Sequence, residues 1–221
     1  MSKIVPTKPL LIMVYGYPGA GKSYFSRELS EQMKAAHISS DKISNKLFNR
    51  PAKSTQEINL VSKIMILMTQ EFLSSGLSVI YDVNANSLKK RRIIMQLAKE
   101  CKATPLLIWL QIDMESAFYR ASNRDHRKID DKYSESISQK EFDSIAKSME
   151  NPTRNEGYIV ISGKHTFKAQ QSAIIKKMHD LGFLSMEDMT ANVKRPQLVN
   201  LIPNSASRGR VDLTRRNINI R

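Results

Sequence analysis

LLIMVYGYPGAGKS, Leu10 to Ser23, is the stretch on which the reading of this chain turns. Its first six residues, Leu10 to Tyr15, are apolar throughout and read as a strand buried on both faces. Gly16 to Ser23 then match G-x-x-x-x-G-K-[ST] in full, and Ser23 to Ala35 read as a helix with Phe25, Leu29 and Met33 on one face. Strand, loop and helix in that order are what the pattern needs to hold phosphate. Gly19 and Gly21 let the backbone adopt positive φ and approach a ligand closely. Successive N–H groups then point inward as an anion nest, and the helix N-terminus adds partial positive charge. Lys22 reaches the β- and γ-phosphates, and the Ser23 hydroxyl takes a Mg²⁺ position. Gly16, Tyr17, Pro18, Gly19, Ala20, Gly21, Lys22, Ser23 and Tyr24 are therefore the expected nucleotide-binding residues. No N-K-x-D base-recognition motif accompanies them, which favours ATP over GTP.

The chain of 221 residues is long enough for one α/β domain with a full core and a short appendage. A lone cysteine, Cys101, excludes an internal disulfide framework and a cysteine-based zinc site, and fits a reducing, cytoplasmic setting. No stretch approaches the roughly 18 apolar residues of a membrane span. The formal net charge is +14. Seven basic residues (Lys194, Arg195, Arg208, Arg210, Arg215, Arg216, Arg221) and one acid (Asp212) put +6 of it in residues 191–221, and +8 in the rest. Such a surface points to a polyanionic partner, nucleic acid among them, or to a solvated basic tail.

Beyond the first strand and helix, hydrophobic patterning predicts a short strand at His37 to Ser39 and a short helix from Asp41 to Phe48. A helix over 56–75 carries the stripe Val61, Ile64, Met65, Met68 and Phe72. A strand covers Leu77 to Val83, and a helix over 87–101 has Ile94, Leu97, Ala98 and Cys101 in register. PLLIWLQI, Pro105 to Ile112, is a third buried strand, with Trp109 in the core. Helices follow from Asp113 to about Lys128 and from Gln139 to Met149, then a strand at Tyr158 to Ser162 and a helix over 168–181 closed by Gly182. Strands alternating with helices imply βα units and a parallel sheet covered on both faces. From about Thr190 the periodicity is lost, and the basic tail reads as extended or disordered.

Four further groups are placed where chemistry could use them. Asp82 ends the strand SVIYDV, beside the phosphate loop if the sheet is doubly wound. A carboxylate there can hold Mg²⁺ or orient an acceptor, or it can cap a turn. Asn84 and Asn86 follow in DVNAN; Asn84 is a substrate-binding candidate and Asn86 a turn residue. Asp41, in HISSDKI, stands at a carboxyl end of the sheet. It could accept the proton of an attacking hydroxyl, or one of Ser39, Ser40 and Asp41 could simply cap the helix that follows. Arg120, Arg124 and Arg127 are spaced to share one face of the predicted helix, where a cationic face could neutralise charge on a transferred phosphoryl group.

GYPGAGKS, then SSD, VIYDVNAN, R-x-x-x-R and FDSIAKSMENP, taken in that order over residues 8–182, resemble the small P-loop kinases of the zeta-toxin and polynucleotide-kinase group. The resemblance implies a P-loop NTPase three-layer α/β/α sandwich, with a mostly parallel sheet of about five strands in residues 1–185. It also implies a short helical lid at about 120–150 that closes over ATP·Mg²⁺; residues 186–221 match nothing in the group. By position, Asp41 is the general base for an acceptor hydroxyl. Lys22 and Ser23 are the phosphate and Mg²⁺ ligands, Asp82 is the acid near metal and acceptor, and Arg120 and Arg124 are lid arginines. Many members carry an arginine three residues after the base, where this chain has Ser44. Transfer of the γ-phosphate to a hydroxyl is thus the leading expectation, the acceptor being a nucleic-acid 5′-end, a nucleotide sugar or a small metabolite. A nucleotide-gated binding module, whose basic tail meets a partner without phosphotransfer, is the alternative.

Overall fold

The computed structural model describes residues 3–48, 51–52, 54–83, 85–129 and 131–185. Asn84 and the basic tail over 186–221 lie outside the described residues.

Five strands form a single sheet in which every pairing is parallel: β1 (Leu10–Tyr15), β2 (Ala35–Ser39), β3 (Ser78–Asp82), β4 (Thr104–Gln111) and β5 (Tyr158–Ser162), in the order β2-β3-β1-β4-β5. The continuous apolar run makes β1 the central strand. All six of its residues are buried, and it pairs with β3 on one side and β4 on the other. Its side chains alternate between two cores. Leu10, Ile12 and Val14 pack with Phe25, Leu29, Ile174 and Ile175. Leu11, Met13 and Tyr15 pack with Val61, Met65, Ile94 and Leu97. Helices α1 (Lys22–Gln32) and α7 (Phe167–Asp180) therefore cover one face, and α3 (Thr55–Ser74) and α4 (Leu88–Glu100) the other. Each fully buried aliphatic side chain contributes about 1.5–3 kcal/mol. After β1 the chain crosses to β2 at one edge, and after β3 it crosses back to β4. The two crossovers diverge at the carboxyl ends of β1 and β3, which is where open α/β sheets bind ligands.

Three helices depart from the patterning. Helix α1 stops at Gln32, short of Ala35, because buried Ile4 forms a bridge to Met33; Ile4 N–H donates to Gln32 O at 2.9 Å and Lys34 N–H to Ile4 O at 2.8 Å. The strand that follows begins two residues early, at Ala35. Helix α5 (Met114–Ser122) ends well before Lys128. Its last carbonyls are taken by side chains: Ser122 Oγ donates to Phe118 O at 2.9 Å and Asn123 Nδ2 to Tyr119 O at 2.9 Å. Polar side chains of this length compete with the helix for its own acceptors. A loop of successive turns then leads to α6 (Gln139–Ser148), which opens with a capping box of Ser138 and Glu141. In α3 the buried stripe is Val61, Met65, Thr69 and Leu73, a spacing of four. Thr69 fits because its hydroxyl donates to Met65 O at 2.7 Å inside the helix. Among the described residues no helix is long and apolar enough to cross a membrane.

The shifted stripe of α3 is tested by two truncations. Leu73→Ala should lower urea unfolding stability by about 2–5 kcal/mol. Leu67→Ala, at a side chain 59% exposed, should change it by less than about 0.5 kcal/mol.

Candidate functional site

The phosphate loop leaves β1 and turns into α1 at Gly21, which caps the helix in the left-handed region at φ 89°. A Cβ at Gly21 would meet nothing within 4 Å, so the concave side of the loop stands open above the helix N-terminus. Gly19 faces the opposite way. It has φ +81°, and a Cβ there would come within 2.1 Å of Ala117 O in α5. Loop and lid-bearing helix are thus packed backbone to backbone. Ala20 and Pro18 are buried, and the Tyr17 ring lies 6.0 Å from Phe142 of α6. Tyr24, half-exposed, sets its ring edge-on to Phe167 at 6.3 Å, with the Arg27 guanidinium 5.6 Å from its centre.

Lys22 is folded into this loop, its Nζ donating to Gly16 O at 2.9 Å and Tyr17 O at 3.0 Å. Burial pushes its pKa down to about 8, Arg124 acts in the same direction, and Asp82 and Asp41 oppose them. Lys22, Asp41, Asp82 and Arg124 therefore share one electrostatic neighbourhood at the carboxyl end of the sheet. Asp82 ends β3 in register with Ser39 and is 7% exposed; its Oδ2 lies 3.2 Å from His37 Nε2 on β2. Ser39, not Asp41, caps α2 (Ser40–Leu47), accepting from Lys42 N at 3.5 Å. The Asp41 carboxylate is exposed. Ser134 of the lid loop donates to it at 3.2 Å and Ser40 at 3.4 Å. Asp41 lines a cavity of about 1020 Å³ that also reaches Ser44, Asn45, His126 and Tyr133.

The three arginines do not share a helix face, because α5 ends between them. Arg120 is still helical and donates to Gly163 O, beyond β5, at 3.0 Å. Arg124 lies past the helix end, donates to Ala121 O at 3.3 Å and stands 3.7 Å from Asp131. Arg127 is 91% exposed and occupied by Asp125 at 2.9 Å, away from the other two. Trp109, half-buried, packs its ring edge between Tyr15 and Tyr158, each at 5.6 Å.

The donors available to a metal ion are the Ser23 hydroxyl and the Asp82 carboxylate. Among the described residues no group of three or more His, Cys, Asp or Glu could hold one. Two oxygen donors beside a phosphate cradle fit Mg²⁺, which keeps several waters and takes the rest of its shell from phosphate.

Patterning missed the residue that ties these parts together. Arg91, in the basic run LKKRR, is fully buried. It faces Glu156 through two bonds, Nε to Oε1 at 2.6 Å and a second at 3.1 Å. It also donates to Ala85 O at 3.2 Å and Glu150 O at 2.9 Å, and lies 5.2 Å from the centre of the Tyr15 ring. Tyr15 Oη in turn donates to Asn151 Oδ1 at 3.0 Å, Glu150 N to Asn86 O at 2.9 Å, and Leu88 N to the Glu150 carboxylate. One guanidinium thereby joins the end of β1, the loop after Asp82 and the segment returning from the lid. The helical period of α4 was the available signal: Arg91 stands three residues before Ile94, on its buried face.

Three measurements follow. Gly19→Ala should abolish ATP binding in a titration, because Cβ and the Ala117 carbonyl cannot occupy the same space. Arg91→Ala should cost about 3–5 kcal/mol, as expected when one partner of a buried ion pair is removed. Burial alone would raise the Glu156 pKa, but hydrogen bonds from Arg91 and Thr153 outweigh it and hold the carboxyl below its ordinary 4.5. The stability this supplies is complete above that value and is lost as pH falls through the depressed folded pKa. Glu156→Gln should therefore be less stable than wild type at pH 7, the gap narrowing below about pH 4.5 as acid protonates Glu156 in the wild type.

A family model described as an AAA domain matches residues 11–152, more than half of the chain. No curated protein matches it by sequence. Among solved structures it is similar to a putative kinase from Chloroflexus aurantiacus, with 16% identity, TM-score 0.61 and coverage of 79% of this chain and 98% of that one. Kti12 from Chaetomium thermophilum, in complex with ADP-AlF3, is similar at 16% identity and TM-score 0.58, covering 80% and 100%. A gluconokinase from Sinorhizobium meliloti is similar at 14% identity and TM-score 0.56, covering 79% and 94%. These likenesses concern the fold alone. Phosphate loop, parallel sheet and family model agree: the chain belongs to the AAA-domain family and carries the P-loop NTPase fold.

Proposed function

We propose that this protein is an ATP-dependent kinase that transfers the γ-phosphate to a hydroxyl of an acceptor seated beside Asp41. One observation carries the reading. Asp41, in the first turn of α2 at the carboxyl end of the sheet from which the phosphate loop also leaves, lines the cavity of about 1020 Å³, so one carboxylate borders a space for a second substrate at the end of the sheet that holds the loop. The likeness of the motif series to the zeta-toxin and polynucleotide-kinase group supports the same assignment, and the printed names of the solved neighbours are in keeping with it.

In the proposed reaction ATP lies in the loop with its phosphates on the backbone N–H groups. Lys22 exchanges the carbonyls of Gly16 and Tyr17 for the β- and γ-phosphates. Asp41 takes the proton of the acceptor hydroxyl as its oxygen attacks the γ-phosphorus; the bond from that phosphorus to the β–γ bridging oxygen breaks, and ADP carries away the electron pair. Arg124 and Arg120 supply positive charge from the lid side. Mg²⁺, held by Ser23 and Asp82, would neutralise phosphate charge. Asn84, two residues beyond Asp82, is kept as a candidate contact to the acceptor. The acceptor is a nucleic-acid end, a nucleotide sugar or a metabolite, and the basic tail suits a polyanionic partner. The lone cysteine suits a reducing, cytoplasmic setting.

Labelled γ-phosphate offered with Mg²⁺ to a panel of such acceptors tests this. Lys22→Ala should lose both ATP binding and transfer. Asp41→Asn should bind ATP like the wild type and transfer about 10²–10⁴-fold more slowly, the usual worth of a general base. Undiminished transfer by Asp41→Asn would remove the proposed base. ATP binding that depends on Lys22, with no product from any acceptor, would make the chain a nucleotide-gated binding module.

A further inference from the structure

The transfer step uses only one end of the cavity beside Asp41. From Asp41, Asn45 and Ser134 the space continues between α3 and α4, where its wall is Val61, Met65, Ile94 and Leu97. These four belong to the core beneath, and none is more than 7% exposed, so the wall is preformed and apolar. At the opening, Ile58 of α3 and Ile93 of α4 are 57% and 55% exposed, and both line the same cavity. A single exposed isoleucine needs no explanation. Two of them, from separate helices and bordering one apolar channel, leave a continuous surface for a ligand.

The dimensions and the charge narrow that ligand. Small-molecule sites run from about 300 to 1,000 Å³ and are mostly apolar with a few polar groups at one end. This cavity has that arrangement at the top of that size. A bare sugar or triol would meet Asp41 and leave the apolar wall to water. The charged rim carries Lys90, Arg92 and Lys132 but also Glu57, Glu100 and Glu135. Among the described residues that mixed rim lacks the run of cations by which proteins track a phosphate backbone.

We infer that the acceptor is an amphiphilic alcohol, whose hydroxyl-bearing head sits at Asp41 and whose aliphatic or aromatic body lies between α3 and α4. The assignment of the head rests on the phosphotransfer reading; the assignment of the body rests on the wall.

Methyl, butyl and hexyl β-glucosides, kept below micelle-forming concentrations, serve as probes with the full chain. They are used both as acceptors for labelled γ-phosphate and as ligands in calorimetric titration. KM, and the dissociation constant in titration, should fall by up to about fourfold for each methylene that reaches the wall. Ile58→Asp and Ile93→Asp, at exposed positions, should flatten that dependence, with ATP affinity as the check that they fold. Affinity that tightens with chain length and is lost in the two variants would uphold the amphiphile whether or not a glucoside is phosphorylated, and the acceptor panel decides the kinase separately. Equal affinity for all three glucosides would overturn the inference. So would a chain-length effect that survives both substitutions, or preferential transfer to an RNA oligonucleotide that neither variant impairs.

Discussion

A guanidinium shut away from water holds the working end of this protein together. Arg91 is buried, and its donors are spent on Glu156 and on the carbonyls of Ala85 and Glu150. An ion in such a place is tolerable only when its attraction to a counter-ion and its hydrogen bonds offset the lost hydration. Here the offset draws on three separate stretches of chain, none adjacent in sequence. The phosphate loop springs from Tyr15, which lies under the guanidinium. The acidic strand end at Asp82 runs into the loop pinned at Ala85. The segment after α6 enters through Glu150 and Asn151. If any of the three shifted, the charge would lose part of its solvation, so they are fixed relative to one another.

Most of the fold was legible because its signals are local. A six-residue apolar run, a complete phosphate-binding pattern and a regular alternation of strand and helix are enough for a parallel sheet with helices on both faces. Ser39, Asp41 and Asp82 also fell at sheet ends as expected, since strand boundaries are marked by the loss of apolar residues. What escaped was set by partners distant in sequence. Helix α1 is cut short by Ile4, some thirty residues away, and no pattern within the helix shows it. Helix α5 ends early through Ser122 and Asn123, whose side chains reach back to carbonyls that a periodicity argument counts as helical. The three arginines read as one cationic face were separated by that ending. Arg91 looked like one more charge in LKKRR because its counter-ion is 65 residues further on.

The charges around the loop have a common logic. Lys22 sits under the influence of a second cation, Arg124, and is steadied by two carboxylates and two backbone carbonyls. Asp82 has His37 beside it, and Asp41 has the hydroxyls of Ser40 and Ser134. Of the two carboxylates, Asp41 lines the cavity. Lys22 and the carboxylates are brought together by the parallel pairing of β3 with β1 and with β2.

That pairing also decides the order in which the protein can come into being. β1 is made first, yet its two neighbours are β3 and β4, which span Ser78–Asp82 and Thr104–Gln111. β2, next off the ribosome, pairs only with β3. Neither early strand has a partner when it emerges, and an apolar run such as Leu10–Tyr15 left unpaired is prone to associate with other chains. The sheet grows outward from its centre in space but cannot be begun in that order in time. Nascent chains shorter than about the end of β3 hold a strand that belongs in the core and has nowhere to go. The segment that makes the phosphate loop possible is thus the one whose burial is longest deferred during synthesis.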